Sequence, residues 1–149
     1  MAPAPLKAGE GAQLSSYLAQ HGIVYFDAKA GKDQVVETLI RRLNLPNPDE
    51  ALRLLKEREE AGGVLIKPNV AIPHTSINGI RGVRAALGIQ KNGGDRFFWL
   101  LFVSGADSIR DHLEFLKSAA QTLTDEVLEE LAKTEDPEKA MRVLSRIPA

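Results

Sequence analysis

Val64-Leu65-Ile66-Lys67-Pro68-Asn69-Val70-Ala71-Ile72-Pro73-His74-Thr75-Ser76 is the stretch on which the fold and its chemistry turn. Its apolar, β-branched residues read as two short strands, Leu65-Ile66 and Val70–Ile72, with Pro68-Asn69 between them. Proline has no N–H for a ladder and fixes its own φ, so Pro73 ends the second strand at Ile72 and delivers His74 into a loop of restricted geometry. A rigid loop suits a reactive side chain. A turn histidine without chemistry fits the same residues as well, and the surroundings have to decide.

Upstream, Met1 to Ala12 is small, Pro-containing and non-periodic, a tail ahead of a single domain over 13–149. Leu14, Tyr17, Leu18 and His21 have helical spacing and Gly22 closes that helix, with His21 at its carboxyl end. Ile23–Phe26 is a first strand. Val35, Val36, Leu39, Ile40 and Leu43 mark an amphipathic helix from Lys32 to Asn44. After the break at Leu45-Pro46-Asn47-Pro48, a further helix begins at Asn47 or Pro48 and runs to about Ala61, where Gly62-Gly63 stops it. It carries the charged run Lys56-Glu57-Arg58-Glu59-Glu60.

Downstream, Asn78-Gly79 is a turn, and Val83–Gln90 and Phe97–Val103 are strands joined by the hairpin loop Lys91–Asp95. Phe97 to Val103 is almost continuously apolar, as a central strand covered on both faces would be. A helix capped by Asp107 or Ser108 follows; Ser108 and Asp111 have capping-box spacing, and Ile109, Leu113, Leu116 and Ala120 would be its buried stripe. Thr124-Asp125 and Pro137 open two more helices. Five strands and six interspersed helices predict an α/β fold, a three-layer sandwich with a mixed five-stranded sheet and helices on both faces.

Composition bounds the partners. The chain has 149 residues, the size of one domain, with 44% apolar and 26% charged residues, a soluble globular balance. A net charge of −1 gives no pull toward nucleic acid or an anionic membrane. No apolar run approaches the ~20 residues of a membrane span, and the first residues lack a signal peptide's charged start and apolar core. Absence of cysteine removes disulfides and thiolate chemistry and fits a reducing compartment. A cytoplasmic protein, or a soluble part of a longer one, is expected.

His112 falls in the first turn or so of its helix, at the edge of the apolar stripe, where partial burial and the positive dipole end favour a neutral ring. Two histidines without short spacing and no cysteine are a weak metal signal. No G-x-S-x-G elbow, G-x-G-x-x-G or P-loop is present, so neither a serine hydrolase nor a nucleotide site has support, and no cofactor is expected.

Arg58-Glu59, then sixteen residues after Arg58 the histidine of Val70-Ala71-Ile72-Pro73-His74, and later Asp111-His112-Leu113-Glu114-Phe115-Leu116 resemble the enzyme IIA domain of the fructose/mannitol type of the bacterial sugar phosphotransferase system, whose relatives include the nitrogen-regulatory IIA protein. The resemblance runs from about Leu14 to Ile147. It implies a phosphotransferase reaction through a phosphohistidine: His74 accepts a phosphoryl group from an HPr-type phosphocarrier and passes it to a IIB domain, or holds it as a signal to a regulated transporter or kinase. His112 maps onto the family's second histidine and Arg58 onto its arginine. A neutral imidazole is a competent nucleophile, and positive groups must balance the phosphoryl oxygens. The alternative is a IIA-like regulatory module that binds with little or no transfer. This chain reads Gly62-Gly63-Val64 where relatives have G-S-T, Lys67-Pro68-Asn69 where they have a small, Gly-rich run, and Thr75-Ser76 where alanine and a basic residue are common, so slow transfer is expected.

Overall fold

Phe98, Leu100 and Phe102 point to one side of a strand and Leu101 and Val103 to the other, and all five are buried, so helices must cover both faces of the sheet. The computed structural model describes residues 13–60 and 65–145. The chain order is α1 (Leu14–Tyr17), β1 (Leu18–Phe26), α2 (Lys32–Arg41), α3 (Pro48–Glu60), β2 (Leu65–Lys67), β3 (Val70–Ala71), β4 (His74–Ile77), β5 (Val83–Asn92), β6 (Asp95–Gly105), α4 (Ile109–Thr122), α5 (Asp125–Ala132) and α6 (Pro137–Ser145). The expected tail and the Gly62-Gly63-Val64 turn lie outside the described residues.

The sheet is mixed and six-stranded, in the order β1-β5-β6-β3-β2, with β4 beside β6. β5 and β6 are antiparallel across a tight Gly93-Gly94 turn, shorter than the expected loop, and the left-handed φ of 62° at Gly93 suits glycine. β3 and β4 run parallel to β6 and share one edge of it: Val70 and Ala71 lie against Phe98 and Trp99, and His74 to Ile77 against Phe102 to Gly105. Two cores result. α1, α4, α5 and α6 pack on the Phe98, Leu100 and Phe102 face, and α2 and α3 pack on the Leu101 and Val103 face. The three-layer architecture expected of the sequence is therefore present, with one strand more.

That extra strand is a correction. Pro73 interrupts the edge as expected, but His74 opens β4 and does not enter a loop. His74-Thr75-Ser76-Ile77 is too short and polar to read as a strand alone; pairing with the apolar β6 imposes it. The first helix is also shorter than its periodicity suggests, because Leu18 leaves it to pair with Ala85. The register then slips before Ile23, and His21 sits exposed in that irregular segment at φ 59°, holding the Arg42 guanidinium through its carbonyl. Asn47 and Thr124 cap α3 and α5 as expected, accepting from the N–H groups of Glu50 and Val127.

Candidate functional site

The parallel register of β4 and β6 builds the site. Side-by-side pairing places His74 next to Phe102 and Ser76 next to Ser104 on the face covered by α4. His74 stacks on Phe102 with centroids 4.9 Å apart and planes 3° apart. The ring of His112, from the first turns of α4, stands edgewise to both, 5.0 Å from Phe102 and 5.6 Å from His74. Residues 38 positions apart in sequence thus share one buried aromatic floor.

Hydrogen bonds settle much of the chemistry. His74 Nδ1 lies 2.8 Å from the Ile72 carbonyl oxygen, which can only accept, so the neutral ring carries its proton on Nδ1. Nε2 is left as a lone pair and makes no hydrogen bond among the described residues. Along the edge strand the Asn69 and Pro73 carbonyls accept from the N–H groups of Phe98 and Phe102 in β6. Alternation turns the Ile72 carbonyl away from β6, where the imidazole takes it. His112 Nδ1 lies 2.8 Å from Ser104 Oγ, which in turn lies 2.7 Å from Ser76 Oγ.

His112 is half-buried, and its pKa is pushed below the usual 6.5, first by burial and then by the nearby charges of His74 and Arg58. The neutral ring expected from the sequence is therefore favoured. Arg58 lies in the last turn of α3, exposed, with its charge within reach of His112. His74 of β4 and His112 of α4 come to one place, and Arg58 of α3 is near enough for its charge to act on His112. Lys67 does not join them, since its ammonium pairs with Asp125 Oδ1 at 2.7 Å. A cavity of about 520 Å³ lined by Asn69, Arg96, Asp125 and Glu129 lies at the other end of β6, away from the histidines.

Two expectations for α4 are overturned. Ile109 and Leu113 are 69% and 59% exposed and Ala120 is exposed, whereas Phe115, Ser118 and Ala119 are buried; of the expected stripe Leu116 alone packs against the core, half-buried. Both stripes have helical spacing, and the aromatic one wins because Phe115 packs 4.4 Å from Phe102 and 5.1 Å from Tyr17. Burying a phenylalanine is worth roughly 1.5–3 kcal/mol. Ser108 is the N-cap, but its hydroxyl makes no bond to its own helix; it accepts from the Gly82 N–H and ties the entry of β5 to α4. Phe102, Ser104 and Ser76 were missed by sequence reasoning. Alternation along β6 puts 102 and 104 on one face, but only the unread β4 brings 74 and 76 opposite them.

A strand parallel to β6 thus presents an imidazole lone pair beside a second histidine, with an arginine charge nearby. Residues 17–147 match the family described as "Phosphoenolpyruvate-dependent sugar phosphotransferase system, EIIA 2", and the chain belongs to it. Its fold is similar to that of the nitrogen regulatory protein IIA-Ntr from Neisseria meningitidis, with TM-score 0.67 at 21% identity over 89% of this chain and 99% of that one. It is also similar to IIA mannitol from Escherichia coli, with TM-score 0.59 at 16% identity over 82% and 95% of the two chains. No helix among the described residues is long and apolar enough to cross a membrane.

Proposed function

We propose that this protein carries a phosphoryl group on His74 Nε2, taken from an HPr-type phosphocarrier in the cytoplasm and passed to a IIB domain or held as a regulatory signal. The observation that carries the reading is the bond from His74 Nδ1 to the Ile72 carbonyl, which leaves the Nε2 lone pair beside His112. In the transfer Nε2 attacks phosphorus, the phosphorus–nitrogen bond to the donor's imidazole breaks, and that imidazole leaves with the electron pair. The His74 ring gains positive character as the bond forms, and the Ile72 carbonyl and the face of Phe102 stabilise it. Arg58 and His112 answer the charge on the transferred oxygens. The exposed Ile109 and Leu113, on the turns of α4 flanking His112, offer the apolar contact a carrier protein needs.

The test is incubation with phosphoenolpyruvate, enzyme I and candidate phosphocarriers, read by intact mass, with His74→Ala as the zero. A phosphoryl adduct on wild type that His74→Ala lacks is the expected result. The sequence Gly62-Gly63-Val64, without the hydroxyls of G-S-T, favours a second reading, a module that binds and signals without transfer. Wild type indistinguishable from His74→Ala with every carrier, yet binding a transporter or kinase domain, would establish that reading instead.

A further inference from the structure

The hydroxyls of Ser76 and Ser104 and the ring of His112 form one hydrogen-bonded row, with contacts of 2.7 and 2.8 Å. Register makes it: Ser76 and Ser104 are side-by-side partners of β4 and β6, Ser76 exposed and Ser104 fully buried. A hydroxyl has one proton to give, and a neutral imidazole has one proton for two nitrogens. Two arrangements keep the Ser104 proton within the row; a third, with Ser104 accepting from both neighbours, would leave that buried proton without an acceptor among the described hydrogen bonds. Either Ser76 donates to Ser104, which donates to His112 Nδ1 and leaves the ring proton on Nε2, or every bond runs the other way and His112 Nε2 is bare.

We propose that the first arrangement holds: Ser104 is a positioning residue that fixes His112 with its proton on Nε2, and Ser76 turns the Ser104 hydroxyl toward the ring. The choice rests on the reading of His74 as phosphoryl acceptor. His74 already presents a lone pair, because its own proton is held against Ile72. A second bare nitrogen on the ring 5.6 Å away would leave Arg58 alone among the three site residues to answer the phosphoryl oxygens. With its proton on Nε2, His112 adds an N–H donor without adding a charge. Turning the ring over would put Cδ2 where Nδ1 stands and lose the Ser104 bond, so that bond and the edgewise contact with Phe102 favour the ring as it lies.

The experiment uses the full chain labelled with nitrogen-15, at a pH well above 6.5 so that His112 is neutral. Long-range proton–nitrogen spectra should show His112 protonated on Nε2, with Nδ1 shifted as a hydrogen-bond acceptor; a ring protonated on Nδ1 overturns the proposal. In Ser104→Ala the Nδ1 signal should lose the acceptor shift and phosphorylation of His74 should slow about five- to tenfold, the loss of one ordinary hydrogen bond. Ser104→Thr, which keeps the hydroxyl, should restore both. Ser76→Ala, at an exposed position that does not threaten the fold, should give a smaller change in the same direction. Unchanged nitrogen shifts or an unchanged rate in folded Ser104→Ala overturns the positioning role. If His74 takes a phosphoryl group from no carrier, the proposed function fails, and the nitrogen shifts still decide which way the row runs.

Discussion

His74 lies flat on Phe102, the two ring planes 3° apart, because the parallel register of β4 and β6 sets the residues side by side. Phe102 also touches His112 and Phe115, so one buried ring links both histidines to the core. Phe102→Leu keeps most of the volume and removes the π face. We expect a stability loss of roughly 1–3 kcal/mol by chemical denaturation. Transfer to His74 should slow as well, since the ring loses the surface that holds its plane. A variant equally stable and equally fast would show that the stack is only filling.

His112 supplies a pH dependence whose sign follows from its lowered pKa. In the unfolded chain the ring returns to about 6.5, so below that pH the unfolded state binds the proton first. The stability contributed by the half-buried neutral ring is full above 6.5 and is lost as pH falls from there toward the depressed folded value. Denaturation midpoints of wild type should fall more steeply below pH 6.5 than those of His112→Gln. Phosphorylation of His74 places negative charge beside the ring and should raise the His112 titration midpoint, read by nitrogen shifts.

Arg58→Lys keeps a positive charge and discards the planar fork. Its position is exposed, so stability should change by no more than ~0.5 kcal/mol. Transfer should slow about tenfold, equal to roughly 1.4 kcal/mol in the barrier. An unchanged rate in rapid-quench measurements would mean that the guanidinium belongs to the solvated face of α3.

Ile109→Glu and Leu113→Glu exchange apolar for acidic side chains that already stand in water. Folding should be indifferent, within ~0.5 kcal/mol. Binding of a phosphocarrier, followed by titration calorimetry, should weaken tenfold or more, as for an apolar anchor of an interface. Strong destabilisation with unchanged affinity would contradict the exposed placement of this stripe.

Much of this was legible in the chain because a few residues have only one physical option. Continuous apolarity from Phe97 to Val103 demands cover on two faces, and Pro73 must interrupt a ladder. Helix phase was ambiguous in α4, where two stripes have the same spacing and only the fit of Phe115 against Tyr17 and Phe102 separates them. β4 was illegible because four residues directly after a proline are too few to read as a strand, although Thr75 and Ile77 are β-branched; pairing with β6 makes them one. The serine row beside His112 depends on that pairing, so it was hidden with it.

The union of β4 with β6 also gives the protein a clock. Ser76 and Ser104 are 28 residues apart, so their pairing closes a long loop, and parallel contacts of that kind form slowly compared with helices. A refolding chain should regain its helical signal first and its capacity to accept phosphate only when this seam closes. Sampling both signals from one refolding reaction would show it: phosphate uptake appearing with the earliest helix would break the link, and uptake arriving late would make the histidine a timer of native assembly.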